Sequence, residues 1–284
     1  MKKWALIIDV ERCTNCQNCV LATRDEHVGN DHPGYSAAMP ASDAHWISIE
    51  RRTRGNGSMV DVTYIPQTCN HCDDAPCVQA APDGAIYKRP DGIVVIDPVK
   101  SRGRRELVGS CPYGMISWNE TADVPQKWSF DAHLLDTGWQ QPRCTQACPT
   151  GAMRPVRVSD EELQQLKAAS ALAELRPELR TRPRVLYQNL HKTTGLFLGG
   201  TVTRRGDEPG QLENVSQARV ELHVADRPPA SCVTDEFGDF KFDQLAAGGS
   251  AWTVEVSHPR FGTANARGTL SESRYLGTLE LVRL

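Results

Sequence analysis

The chain has 284 residues, with 32 basic against 35 acidic side chains and a net charge of −3, and is long enough for two domains. That balance gives no pull toward nucleic acid or an anionic membrane, and no apolar run is long enough to cross a bilayer. The opening "MKKWALIIDVERC" holds two lysines and a short apolar run that Asp9 interrupts. It predicts a strand leading into Cys13 rather than a signal peptide, so the chain is expected to be cytoplasmic. Export alongside a signal-bearing partner stays compatible with it.

In chain order, residues 1 to about 155 hold cysteine motifs, short strands and many Pro/Gly turns. The insert at 24–66 is too long to be only a turn and is expected to be a partner-binding loop. "AIYKRPDGIVVID" (85–97) predicts a hairpin around Pro-Asp-Gly. "RGRRE" (102–106) reads as a solvated loop. Residues 159–176 predict a helix, with Ser159 and Glu162 as a capping box, a stripe of Leu163, Leu166 and Leu172, and Pro177 as its stop. "TRPRVLYQNL" (181–190) is expected to be an extended connector. From Gly195 to Leu284 the pattern turns to period two, in "ARVELHVAD", "GDFKFDQL" and "AWTVEVSH", which predicts a small β-sandwich. No Ser/His/Asp set, phosphate loop or acid/base pair stands out, so the chain itself reads as non-catalytic.

Nine of the ten cysteines lie between residues 13 and 148. In a reducing compartment such clustering points to metal rather than disulfides. The two-cluster ferredoxin motif is C-x2-C-x2-C-x3-C-P, in which the fourth cysteine serves the other cluster. Cys13, Cys16 and Cys19 form one triplet. Cys69, Cys72 and Cys77 form a second, with its last gap lengthened. Cys111 and Cys148 are each followed by proline. Two triplets and two Cys-Pro caps complete two [4Fe–4S] clusters and use eight of these nine cysteines. Zinc is the other use of C-x2-C pairs, but it explains neither triplets nor Cys-Pro caps. Spacing alone leaves open which cap serves which triplet.

The blanks in the pattern matter as much. Thr23 and Ala81 hold the fourth positions of the two triplets. Upstream of Cys111 the triplet positions are Ser101, Arg104 and Leu107. Upstream of Cys148 strict spacing gives Gly138, Gln141 and Cys144, and a lengthened middle gap gives Trp128, Asp131 and Cys144. The chain therefore reads as a four-motif scaffold retaining two clusters. Trp128 is expected to fill vacated volume with apolar surface and Cys144 to be an unliganded leftover. His27, His32, His45, His71 and His133 are expected to be structural or surface residues, with His71 placed to tune a cluster by hydrogen bonding. Cys232 is expected to be a buried thiol.

The stretches "IIDVERCTNCQNC", "CNHCDDAPC", "DGIVVIDP", "CPYGMISWNE", "AHLLD", "PRC" and "RPELRTRPRVLYQNL" resemble the iron–sulfur subunits of molybdopterin enzymes of the dimethyl sulfoxide reductase superfamily. They are most similar to small subunits of the pyrogallol–phloroglucinol transhydroxylase and resorcinol hydroxylase type. "TDEFGDFKFDQL" is similar to the transthyretin-like, carboxypeptidase-regulatory-like sandwich that follows there. The resemblance implies an α+β fold, with a ferredoxin-like domain over 1–190 and a transthyretin-like β-sandwich over 195–284. It also implies nested pairing, in which Cys13, Cys16, Cys19 and Cys148 hold one cluster and Cys69, Cys72, Cys77 and Cys111 the other. In that family a third cluster uses positions that here are Thr23, Trp128 and Asp131.

The implied function is electron transfer for a large molybdopterin-containing catalytic subunit acting on hydroxylated aromatics, with molybdopterin only in that partner and a soluble electron acceptor possible beyond it. Two alternatives stand beside it. One is service to another molybdopterin oxidoreductase, of formate or oxyanion type. The other is a structural subunit whose clusters carry no current.

Overall fold

The computed structural model describes residues 1–42, 45–206, 208, 210–225 and 227–282; positions 43 and 44 of the long insert and five positions of the C-terminal region lie outside the described residues. The chain divides into two compact units, residues 1–51 with 64–190 and residues 52–63 with 191–284. Nothing in the sequence announces the excursion of 52–63 into the second unit.

The strands of the first unit are β1 (Lys3–Asp9), hairpin β2–β3 (Ile47–Asn56 and Met59–Thr68, its far end in the second unit), hairpin β4–β5 (Ile86–Lys88, Val94–Ile96), hairpin β6–β7 (Ser117–Asn119, Val124–Gln126), β8 (Met153–Val158) and β9 (Val185–Gln188). Its helices are α1 (Asn18–His27), α2 (Pro76–Gln79), α3 (Ala132–Asp136), α4 (Arg143–Gln146) and α5 (Asp160–Ala169). The predicted hairpin at 85–97 is β4–β5, closed through Ile86 opposite Ile96. Much of the insert expected to be a loop is the ordered hairpin β2–β3.

β1 is the middle strand of a three-stranded sheet, antiparallel to β8 and parallel to β9. Leu6 and Ile8 pack on one face with Trp128, Phe130 and Tyr187, while Ala5 and Ile7 pack on the other with Leu163 and Leu186. A strand covered on both faces needs a continuous apolar run, which is what "WALII" supplies. The supposed connector at 181–190 thus contains β9, a core strand, with Val185, Leu186 and Tyr187 all buried.

The helix expected over 159–176 is shorter than its pattern. Its start carries the predicted capping box: Ser159 Oγ accepts from the Glu162 N–H at 3.1 Å and the Ser159 N–H donates to Glu162 Oε2 at 2.7 Å. It stops at Ala169 in a Schellman closure, with Leu172 N–H on the Lys167 carbonyl at 2.9 Å and Ala171 at φ +46°. Alanine carries no signal for that conformation, so the stop is invisible in the sequence. Leu172 still reaches the same core from beyond the turn.

The second unit holds eight strands, β10 (Leu196–Arg205), β11 (Leu212–Asn214), β12 (Arg219–Val224), β13 (Ala230–Val233), β14 (Asp239–Leu245), β15 (Ser250–His258), β16 (Gly262–Leu270) and β17 (Arg274–Glu280). One sheet runs β11-β10-β14 with β17 also on β10, and the other runs β13-β12-β15-β16. Alternating residues of the two sheets share one core, including Val202, Phe240, Leu222, Trp252 and Val254. The far end of β2–β3 is tied in by Arg54, which donates to both Asp243 oxygens at 2.8 Å and to Asp61 at 2.8 Å. Cys232, expected buried, is half-buried on β13.

Candidate iron–sulfur centres

The ladder between β1 and β8 sets the first site. Ile8 stands opposite Met153, so the chain leaving β1 and the chain entering β8 are side by side. Cys13, Cys16, Cys19 and Cys148 come together there, close enough that Cys13 and Cys19 both feel the charge of Cys16 and Cys148. In the second site Cys72 feels Cys69, Cys77 and Cys111 in the same way. Each set joins one cysteine triplet to one Cys-Pro cap. Cys144 joins neither set as an equal. It is fully buried against Trp128 and Phe130, with its thiol pushed well above the ordinary range by burial and then by the charges of Asp131 and Cys19.

Local backbone explains why thiols converge. The second spacer of the first C-x2-C pair in each triplet is left-handed: Asn15 at φ +57° and His71 at +45°. That turn aims backbone N–H groups at sulfur, as Asn15 does toward Cys13 and His71 toward Cys69 at 3.5 Å. The third cysteine of each triplet begins a helical turn, Cys19 in α1 and Cys77 in α2. Each cap then opens a Cys-Pro-x-Gly turn, closed by Gly114 N–H on the Cys111 carbonyl at 3.0 Å and Gly151 N–H on the Cys148 carbonyl at 3.2 Å. Both glycines have positive φ, +68° and +62°.

The donor sets fit a cubane. Burial first, and neighbouring thiols after it, push Cys19 and Cys72 up to about 12 and Cys77 up to about 11. Thiols so placed ionise only beside a cation, which cluster iron supplies. Cys148 goes the other way: burial raises it, but N–H groups of Met153, Ala152 and Thr150 and the Thr150 hydroxyl outweigh that and lower it. One zinc ion at Zn–S distances of about 2.3 Å would gather its sulfurs to about 4 Å of one another. Among the described residues, the ligand sets lying within 4.8 Å are Glu26/His32/His133 and Glu221/His223/Glu255, neither containing a cysteine. The cysteine sets are wider, as a cluster demands.

The two stretches that lack a cysteine triplet share one backbone feature with the triplets. Their second spacers are Phe130 at φ +60° and Gly103 at φ +75°, left-handed like Asn15 and His71. A phenylalanine there is a strained outlier, so the stretch at 126–131 has the shape of a ligand loop without the ligands. Asp131 is fully buried and accepts three hydrogen bonds: Trp128 Nε1–H and His27 Nε2–H on Oδ1, each at 3.0 Å, and the Arg143 N–H on Oδ2 at 2.8 Å. Burial pushes its carboxyl up, but His27, the Arg143 N–H and Trp128 together hold it below the usual carboxylate range. Thr23, also buried, bonds back to the Cys19 carbonyl at 2.9 Å. Trp128 is fully buried in the apolar core, and a hydrogen-bonded network around Asp131 shares the space with it.

The other blank positions differ. Ala81 and Leu107 are buried in one apolar cluster with Cys72, Cys77, Ile86 and Ile116. Arg104 faces outward to Asp83 at 2.7 Å, in keeping with a solvated "RGRRE" loop.

Of the histidines, His45 is exposed and His27 and His71 are buried. His71 Nδ1 accepts from the Val94 N–H at 3.0 Å. His32 and His133 stack at 3.7 Å, and His133 meets Glu26 Oε1 at 2.9 Å while Arg143 takes the other carboxylate oxygen at 3.0 Å. Sequence reasoning missed His27 as the partner of Asp131. The spacing Cys19, Thr23, His27 puts all three on one face of α1, and a buried carboxylate needs such a partner. It also missed Lys127, buried beside the second site.

A 4Fe–4S dicluster domain model matches residues 60–157. The chain is 39% identical over 259 residues to the pyrogallol hydroxytransferase small subunit of Pelobacter acidigallici, covering 90% of this chain and 91% of that one. It belongs to that family of iron–sulfur small subunits of molybdopterin oxidoreductases. Identity to the arsenate respiratory reductase iron–sulfur subunit ArrB of Shewanella sp. (strain ANA-3) is 28% over 232 residues, covering 64% of this chain and 94% of that one. With the thiosulfate reductase electron transfer subunit PhsB of Salmonella typhi it is 29% over 163 residues, covering 57% and 80%. The arsenate subunit is matched almost end to end by less than two-thirds of this chain, whereas the match to the pyrogallol subunit must take in most of the β-sandwich unit. Among the described residues no helix is long and apolar enough to cross a membrane.

Proposed function

We propose that this chain is the electron-transfer subunit of a molybdopterin enzyme acting on hydroxylated aromatics, and that it carries two [4Fe–4S] clusters. Cys13, Cys16, Cys19 and Cys148 hold one; Cys69, Cys72, Cys77 and Cys111 hold the other. The observation that carries the reading is the convergence of these eight thiols in two sets of four, with N–H groups aimed at their sulfurs. When bound, each cluster takes up and hands on one electron. Hydroxylation of an aromatic ring by water releases two, so two clusters match one turnover. The ring chemistry belongs to a large molybdopterin-containing partner subunit, and the likeness to pyrogallol hydroxytransferase favours a phenolic substrate over formate or an oxyanion.

The second unit is, in this reading, a transthyretin-like sandwich over 195–284 that stabilises or docks, and the domain over 1–190 carries the current. A cytoplasmic setting suits the unbridged cysteines. The test is iron and acid-labile sulfide per anaerobically purified chain, expected at about eight of each for two cubanes. About twelve of each would show a third cluster and overturn the count. Cys148→Ser should damage one cluster, while Cys144→Ser leaves iron unchanged. Bleaching of the cluster absorbance by a phenolic substrate, in the assembled complex, separates a conducting subunit from a structural one.

A further inference from the structure

Lys127 is 4% exposed, and its ammonium has no carboxylate within 4.0 Å among the described residues. Nζ donates to the Val94 and Trp128 carbonyls, the latter at 3.2 Å. Burying a cation with only neutral partners is costly unless an anion lies near. The anion is the thiolate set of the second site: the Val94 N–H meets His71, between Cys69 and Cys72, and the Lys127 charge reaches Cys77, Cys111 and His71. Four thiolates around a cluster are negative, and each electron added makes them more so.

Among the described residues the first site has no such buried, carboxylate-free cation. Its thiols register each other and backbone donors, and the arginine beside its cap turn, Arg12 near Gly151, is exposed and screened by water. A second lysine near the second site, Lys88, differs from Lys127. It donates to the His71 and Cys72 carbonyls at 2.9 Å but is paired with Asp73 at 3.0 Å, which offsets its charge.

We infer that Lys127 is the counter-charge that raises the reduction potential of the cluster held by Cys69, Cys72, Cys77 and Cys111, and of that cluster alone. The inference rests on the ligand sets proposed above. It makes Lys127 a positioning residue: it touches carbonyls, not the cluster, and keeps a buried anionic centre reducible. By Coulomb's law at an effective dielectric near 20, a unit charge acting across about 10 Å would shift a one-electron equilibrium roughly tenfold.

The experiment is a dithionite titration of the cluster-loaded chain in its native complex, followed by electron paramagnetic resonance. Cys148→Ser, which spares the second cluster, assigns the signals. Lys127→Met should lower the second cluster's midpoint by about 59 mV, the equivalent of a tenfold change, with the first unmoved. Lys127→Arg should hold it near the wild-type value, and Lys88→Met should move it less. Lys127→Gln, which keeps a hydrogen-bond donor without the charge, carries the test if methionine costs the cluster. An unchanged second midpoint at full iron content, or equal shifts of both clusters, would overturn the inference. A wild-type complex with no second signal would overturn the ligand sets instead.

Discussion

Two regions of the first unit that lack a full cysteine set are packed with opposite chemistry. Around Trp128 and Asp131 the filling is polar, a buried carboxylate held by His27, Trp128 and the Arg143 N–H. Around Leu107 and Ala81 it is apolar, continuous with Ile86 and Ile116. Asp131 brings a buried carboxylate to three N–H donors, and Trp128 fills the space beside it. At Leu107 the left-handed position is Gly103, which costs no strain, and a solvated loop closes the site. At Phe130 the strained turn persists, because the Asp131 network holds it in place.

Breaking the polar filling should have the largest effect. Asp131→Ala leaves His27 buried without its partner and two N–H donors unsatisfied, at a cost of roughly 3–5 kcal/mol. The denaturant midpoint of the anaerobic, cluster-loaded chain reports it. The effect has a pH signature. The folded-state carboxyl sits below its unfolded value, so its contribution is complete above the ordinary carboxylate range and is lost as pH falls through the depressed value. The gap between wild type and Asp131→Asn should therefore be full at neutral pH and narrow below about pH 4. A gap that stays constant on acidification would mean that the carboxylate is not the stabilising species.

The apolar filling should break more gently and without pH dependence. Leu107→Ala opens a cavity in a buried cluster and should cost about 3 kcal/mol by the same midpoint. Its ΔΔG should be flat between pH 4 and 8. The contrast in pH response, more than the difference in size, is what separates the two kinds of repair.

Much of the site was legible because ligand spacing is a covalent property of the chain. Cys13, Cys16 and Cys19 sit on one short loop whatever else folds, and Asn15 and Gly103 are residue types that suit left-handed backbone. The strand at Lys3–Asp9 was legible because covering on both faces demands its apolar run. What escaped was decided at long range. His27 and Asp131 meet across 104 residues. The strand at Val185–Gln188 looks like a connector until it lies beside β1, and the helix from Asp160 ends at an alanine that no rule marks. Phe130 is the sharpest case: no pattern places phenylalanine in a left-handed turn, and the contacts that fix its neighbour Asp131 come from His27, 104 residues away.

Thr23 tests how far the polar repair extends. It occupies the fourth position of the first motif, as Ala81 does in the second, and both are buried. Its hydroxyl, however, bonds to the Cys19 carbonyl one helical turn back and not to the Asp131 network. A back-bonded hydroxyl of this kind adds little to a helix, and valine has nearly the same shape. Thr23→Val should therefore cost no more than about 0.5–1 kcal/mol, the net worth of one neutral hydrogen bond. Iron content should be unchanged. A loss several times larger would show that Thr23 belongs to the network through a bridging water, and the polar repair would then extend onto α1 beyond His27. A small loss would confine it to His27, Trp128, Asp131 and the Arg143 N–H.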